Sequence, residues 1–369
     1  MRAAAAARGH RQVVIVGAGV TGLLTAVECA RAGHRVTVLD RGPIPNPQAS
    51  SYDQHRVIRT FQPDDAAATR RMTAARSRWR ELETLLATPL CRPVGVVTAR
   101  PREQLAADTA AAAEAAVPVE TLEPERLPHL EFPAGTAGLL DVEGGVLLAR
   151  RVLRAAARWL AGHDGVTLRP YCPVAEIDAD SAKVVPARGE PLGADLVLVA
   201  AGPWSRDLVP HPVVLYRQTM VYLRPPGDTA RWWAGAPAAG GLGADGRAWA
   251  VPPGDGTLLK ISSDAVCRPV AGTEGAEGEG RLPRAGQLAG AAPLSGIERY
   301  AVAAVRTCHY AVGAGATDAG AIGGADPGGA VLARVGPAVW SRPACGGSGF
   351  SQAPLVAGRI VDALREGTV

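Results

Sequence analysis

The first residues with chemical potential are Gly17-Ala18-Gly19-Val20-Thr21-Gly22. In a G-x-G-x-x-G spacing the first glycine allows a tight turn. The second lets backbone approach a pyrophosphate, and the third lets a helix pack close to a strand. The N–H groups and positive dipole end of the following helix favour phosphate. Asp40 can accept hydrogen bonds from a ribose 2′-OH and would repel a 2′-phosphate; Arg41 beside it softens that exclusion. A second feature is scarcity. Among 39 basic residues only Lys183 and Lys260 are lysines. Lys260 sits in Thr257-Leu258-Leu259-Lys260-Ile261-Ser262-Ser263, a strand-like run that puts a cation on one face of a sheet. Lys183 has no such context and reads as a surface residue. His55, Arg56 and Arg59 crowd into one polar loop. His55 is a titratable group, read more simply as a structural hydrogen-bonding histidine.

These residues need elements to hold them. Val13-Val14-Ile15-Val16 is a continuous apolar run, as for a strand buried on both faces. A helix over Leu23 to Ala32 closes at Gly33, and Val36 to Leu39 forms a second strand that ends at Asp40. Strand, glycines, helix, strand and acid occur in register, which makes the fingerprint specific. Arg41 to Phe61 is loop. A long helix starts near Pro63-Asp64-Asp65, carries Ala68, Met72, Ala75, Trp79, Leu82 and Leu86 on one face, and ends before Pro89. Val94 to Thr98 reads as a strand, Glu103 to Ala116 and Ala149 to Ala161 as helices, and Pro173 to Ile177 as a strand. Asp195 to Ala201 is a second buried strand, turning at Gly202. Val213 to Leu223 alternates as a strand, and Pro354 to Leu364 is the final helix. Residues 271–296 and 313–329 read as Gly-rich loops.

The composition sets outer limits. With 369 residues and 47% hydrophobic residues, the chain can bury a full core in two domain-sized units. Net charge is +4 with mixed signs, too little for a nucleic-acid footprint. No apolar stretch approaches the ~18 residues of a spanning helix. Met1 to Gln12 is an Ala/Arg tail without the apolar region of a secretory signal. Six cysteines (Cys29, Cys91, Cys172, Cys267, Cys308, Cys345) lie far apart without CxxC pairs, so neither a metal site nor a disulfide framework is expected. The expectation is a cytoplasmic protein with no membrane or nucleic-acid partner, a monomer or weak homo-oligomer.

Five blocks in order carry a resemblance: GAGVTG; Ser50-Ser51-Tyr52-Asp53-Gln54-His55-Arg56-Val57-Ile58-Arg59; Ala194 to Trp204; Thr307-Cys308-His309-Tyr310; and Gly347-Ser348-Gly349-Phe350 before a helix. The sequence resembles the D-amino-acid oxidase superfamily, and within it the monomeric sarcosine oxidase and N-methyltryptophan oxidase family. That resemblance implies an α/β fold: a Rossmann-like FAD-binding domain with a second, mostly antiparallel β-sheet substrate domain. The flavin domain would use 11–90, 145–205 and 305–369, the substrate domain 91–144 and 206–304, and 1–10 would be a flexible tail.

The resemblance also assigns roles. FAD would sit on Gly17, Gly19, Gly22, Asp40, Arg41, Ser51, Arg56, Val174, Gly202, Gly347, Gly349, Phe350 and Ser351. Cys308 would carry it through an 8α-thioether. Arg59 would clamp a substrate carboxylate through paired N–H···O bonds. Lys260 would promote reaction with O2, helped by fixed positive charge in a dry pocket, and His55 would neighbour the amine. Ser351 stands where sarcosine oxidase has a second carboxylate-binding lysine, and Asp264 where the family often has histidine. The first departure points away from sarcosine, towards a larger amine or imino acid or one bound through other groups; the anion at Asp264 could instead recognise a positive substrate group. The function implied is FAD-dependent oxidation of a small secondary or cyclic amine or amino-acid derivative. An imine forms, and O2 is reduced to hydrogen peroxide. Alternatives are an FAD-dependent dehydrogenase or desaturase of a biosynthetic intermediate, and a non-catalytic flavin-binding subunit. A nicotinamide-dependent dehydrogenase leaves the Cys-x-Tyr and Gly-Ser-Gly-Phe blocks without a role. A flavin monooxygenase would bring a Gly-Asp segment before a C-terminal helix, which is not found.

Overall fold

The computed structural model describes residues 10–273, 293–314 and 330–366. Residues 1–9 of the N-terminal tail, and 274–292 and 315–329 of the two Gly-rich stretches, lie outside the described residues, as do 367–369.

Two large sheets organise the chain. The first has six strands in the order Ala330–Arg334, Val339–Cys345, Leu196–Val199, Gln12–Val16, Arg35–Leu39, Val166–Arg169. All neighbours are parallel except the first pair. Its central strands are apolar on both faces because both faces are covered. Val13, Ile15, Val36, Val38, Leu196 and Leu198 pack with residues of the helices Val20–Arg31, Ala66–Leu85, Ala149–Ala161 and Ala353–Arg365. Val14, Val16, Leu39, Val197 and Val199 pack instead with Ile177, Val184 and Leu192 of a small antiparallel sheet. The long helix obeys its stripe: Ala68, Met72, Ala75, Trp79, Leu82 and Leu86 are all buried. Asp65 caps it by accepting the Ala68 N–H at 2.7 Å.

The second sheet has nine strands and is antiparallel except where Ala238–Leu242 lies beside Val96–Pro101. Its long pair is Val213–Arg224 with Ala301–Gly313, hydrogen-bonded along their full length. Residue 305 therefore falls inside a strand of this sheet, and Gly313, expected to open the second loop, is the last residue of that strand, where Ala311, Val312 and Gly313 pair with Leu215, Val214 and Val213. The strand expected at Val94 to Thr98 runs Val96–Pro101, and the helix expected at Glu103 to Ala116 runs Leu105–Glu114.

Register decides which side chains share a face. Tyr222 and Val251 each lie opposite Lys260, Trp249 opposite Ser262, and Cys308 opposite Gln218. Directly paired residues point to the same side. One face of the sheet therefore carries Gln218, Met220, Tyr222, Trp249, Lys260 and Cys308. The other carries Val221, Leu223, Ala250, Leu259 and Ile261, which pack on Trp233, Ile297 and Tyr300. A three-stranded ladder of Arg56–Ile58, Gly145–Leu147 and Cys91–Arg92 carries the polar loop to the first of these faces.

Candidate active site

One cavity of ≈ 640 Å³ runs from the glycine turn to the polar face of the second sheet. At the first end the constraint is backbone. Gly17 has φ +105°, and an added Cβ would lie 2.5 Å from the Ala200 oxygen. At Gly22 a Cβ would lie 1.9 Å from the Gly17 oxygen. Gly19 faces Ser51, whose Oγ accepts the Val20 N–H at 3.1 Å. Asp40 accepts the Ala18 N–H at 2.8 Å on one oxygen, and Gly42 N–H and Asn46 Nδ2 on the other. The carboxylate is thereby fixed at the cavity wall. Arg41 lies over the Trp204 ring, 3.8 Å from its centroid, and both line the cavity with Val174 and Gly202.

At the second end the constraint is charge. Asp53 is buried and accepts from four groups: Lys260 Nζ at 3.0 Å, Arg56, the Tyr222 hydroxyl at 2.5 Å and the Gln54 N–H. Burial works against its charge, but Lys260, Arg56 and the Tyr222 hydrogen bond hold its carboxyl well below the usual range. Burial pulls the Lys260 ammonium down to about 8, against the pull of Asp53. Arg56 is shifted upward: burial opposes its charge, and Asp53, Cys308 and Tyr222 together outweigh it. Burial and the adjacent carboxylate push the Tyr222 phenol up.

His55 faces away from this cavity and is not among its lining residues. It donates from Nε2 to the Leu258 carbonyl at 2.9 Å while Gln54 accepts the Leu258 N–H at 2.7 Å. The pair pins the start of the Lys260 strand to the polar loop. Burial, and then Lys260, lower His55 to about 3. Arg59 lines the cavity and donates to Thr98 Oγ1 at 2.9 Å and Gln62 Oε1 at 2.7 Å. Burial, the largest influence, pulls its guanidinium down to about 10. Gln218 donates through Nε2 to Ser262 Oγ and the Ser263 carbonyl, and its Oε1 meets no donor among the described residues. The Trp249 indole N–H likewise meets no acceptor there. Both residues belong to the cavity wall.

Cys308 reaches the same cavity, its thiol pushed up by burial against the pull of Arg56 and Lys260. Ser50 ties the polar loop to this strand by donating to the His309 carbonyl at 2.6 Å. The C-terminal motif closes the wall. Gly347 has φ +82° with open space around it, whereas at Gly349 a Cβ would lie 2.4 Å from Cys345 Cβ. Gly349 is thus required by packing on Cys345. Phe350 stacks on Trp79 at 5.8 Å. Ser351 donates its hydroxyl to the Ser348 carbonyl at 2.9 Å, and its own carbonyl accepts from Trp79.

Residues 12–363 match the model of the family described as FAD dependent oxidoreductase. The chain belongs to that family. Among curated proteins it is similar to peroxisomal sarcosine oxidase of Homo sapiens, 31% identical over 205 residues covering 53% of this chain and 51% of that protein. It is also similar to monomeric sarcosine oxidase of a Bacillus species, 27% identical over 57% of each chain. The chain spans about half the length of the curated relatives it matches. Among solved structures it is similar to NikD, an amino acid oxidase essential for nikkomycin biosynthesis, with TM-score 0.75, 22% identity and coverage of 98% of this chain and 95% of that one. It is also similar to amadoriase I of Aspergillus fumigatus, with TM-score 0.72, 18% identity and coverage of 97% and 87%. These structures share the fold.

The residues present fit FAD. Every glycine of the fingerprint lies where a side chain would strike backbone or Ser51, and Asp40 is oriented at the end of the second strand. Of the residues expected at the site, Gly17, Gly19, Asp40, Arg41, Ser51, Arg56, Arg59, Val174, Gly202, Lys260, Cys308, Gly347, Gly349, Phe350 and Ser351 line one cavity. Gly22 supports it from behind, and His55 lies outside it. Asp264 also lies outside the lining; its N–H bonds the Arg247 carbonyl. Sequence reasoning missed Asp53, Tyr222, Gln218, Trp249 and Asn46. The signal for Asp53 was present as an acid inside a loop with two arginines. Its partners Tyr222 and Lys260 are 169 and 207 residues away, so only the folded register brings them together.

No helix among the described residues is long and apolar enough to cross a membrane, and no cluster of three or more metal-ligating side chains occurs among them.

Proposed function

We propose that the chain is an FAD-dependent oxidase of a secondary or cyclic amine carrying a carboxylate, with Lys260 supporting direct use of dioxygen. The observation that carries this reading is the single cavity joining a dinucleotide cradle to Arg59, Gln218 and Lys260. FAD, held at the cradle of Gly17, Gly19 and Asp40, would supply the redox chemistry, accepting a hydride equivalent from the carbon next to nitrogen and passing the electrons to dioxygen to give hydrogen peroxide.

The chain's residues do the rest. Arg59, braced by Thr98 and Gln62, presents its guanidinium to the substrate carboxylate. Gln218 Oε1 offers an acceptor to a substrate N–H. Trp249 and Met220 supply a large apolar wall, which suits a substrate bulkier than sarcosine. Ser351, already bonded to Ser348, adds no cation, so the carboxylate rests on Arg59. Lys260 places positive charge where negative charge develops during oxygen reduction. Cys308 is the residue for thioether attachment of the cofactor. The six thiols, none in a disulfide, suit a reducing compartment such as cytoplasm.

Acid precipitation of the purified protein tests the attachment. A yellow pellet is expected, and Cys308→Ser moves the colour to the supernatant. A colourless preparation that takes up no FAD contradicts the whole reading. Peroxide release is then measured across N-methyl and cyclic amino acids. Release from at least one cyclic or bulky member is expected, exceeding that from sarcosine.

A further inference from the structure

We infer that Asp53 is a positioning residue that, backed by Tyr222, clamps Lys260 so that a single ammonium N–H is left for the cavity. An ammonium has three N–H donors and an ionised carboxylate about four acceptor sites. Two Lys260 donors are taken, by Asp53 Oδ2 at 3.0 Å and by the His55 carbonyl at 2.7 Å. Lys260 is 2% exposed and lies in the cavity wall, with the Trp249 ring centroid 5.6 Å from Nζ. One donor therefore remains.

Asp53 is itself held on both oxygens. Oδ1 accepts from Tyr222 and the Gln54 N–H, and Oδ2 from Lys260 and Arg56. A carboxylate with every site filled has no alternative orientation, so it fixes the cation it pairs. Three segments meet there: the polar loop, the strand Val213–Arg224 and the strand Leu259–Ser263. The titratable groups around Lys260 are Asp53, Arg56, His55 and Cys308, with Tyr222 and Arg306 behind them. Asp53 is the one carboxylate of this set. Without it, Lys260 would face Arg56 in a dry pocket, and both burial and repulsion would favour loss of its proton.

The value of that N–H for oxygen chemistry rests on the proposed function; the clamp itself does not. The rarity of lysine supplies a direct test. Protein grown with lysine carrying ¹³C at Cε should give two lysine signals, from Lys183 and Lys260, and Lys183→Arg assigns them. Following the Lys260 signal with pH, the wild type should titrate near 8. Asp53→Asn should move that transition down by about 1–3 pH units. Tyr222→Phe keeps every charge and gives a second handle. In the flavin-loaded enzyme it should slow reoxidation by oxygen about 2- to 10-fold, the loss of one hydrogen bond, and leave anaerobic reduction unchanged. An unmoved Lys260 transition in Asp53→Asn overturns the assignment, as do equal effects of Tyr222→Phe on both half-reactions. A protein without oxidase activity whose Lys260 transition still moves supports the clamp and overturns the oxidase reading alone.

Discussion

The two ends of the cavity are built by different means. At the cradle, the working groups are backbone N–H groups and one carboxylate, set by glycines five residues apart and a strand that follows soon after. At the polar face, the working groups are side chains whose partners stand up to 207 residues apart. The first end tolerates almost no added volume. The second depends on charge balance, because Asp53 and Lys260 are buried and each needs its counter-ion. Substitutions at the cradle should therefore abolish binding and folding together, whereas substitutions at the face should separate steps of the reaction.

The largest effect is expected from Gly22→Ala. Its Cβ would sit 1.9 Å from the Gly17 oxygen, so the turn must open, at a cost of about 3 kcal/mol or more. Flavin content and thermal unfolding should fall together. Retention of full flavin would show that the cradle is less constrained than its geometry. Next comes Lys260→Met at the other end. Loss of the fixed charge should slow flavin reoxidation by about 10²–10³-fold, with anaerobic reduction little changed and flavin content normal. Parallel loss in both half-reactions would show that this end is also structural. Arg59→Met should lower kcat/KM for a carboxylate substrate about 10- to 100-fold, mostly through KM, and spare amines without a carboxylate.

The smallest effect belongs to His55, and it bears on stability. Its folded value of about 3 lies below the ordinary 6.5. Between these values the unfolded chain binds a proton that the folded chain refuses, so stability falls as pH drops from about 6.5 towards 3. Above about 6.5 both states are neutral and the dependence vanishes. His55→Leu should flatten this part of the acid limb in denaturant melts taken between pH 7 and 4. An unchanged slope would place the acid sensitivity elsewhere, with Asp53 the first alternative because its lowered carboxyl also loses stability as pH falls.

The contrast also explains what could be read from the chain. The cradle was legible because its spacing is local: Gly17, Gly19, Gly22 and Asp40 lie within one strand–helix–strand unit. The buried stripe from Ala68 to Leu86 was legible for the same reason, through helical period. Lys260 stood out because lysine is scarce and because its strand-like flanks fit the resemblance. Asp53 did not stand out, since its role depends on Tyr222 lying opposite Lys260 across a strand pair, and register leaves no mark on a single strand. Gly349 was visible as a motif, but its reason, close packing on Cys345, appeared only in three dimensions. His55 could be read from its neighbours as a titratable group or, more simply, as a structural hydrogen-bonding histidine, and its Nε2 bonds the Leu258 carbonyl.

The central claim is that one cavity holds FAD at the cradle and an amine at the polar face. Anaerobic titration of the purified flavoprotein with bulky and cyclic amino acids tests it most directly. The account predicts that at least one compound bleaches the visible flavin absorption, and that admitting air restores the colour with an equal amount of peroxide. Flavin that stays oxidised with every compound, or bleached flavin that air fails to reoxidise, would contradict it.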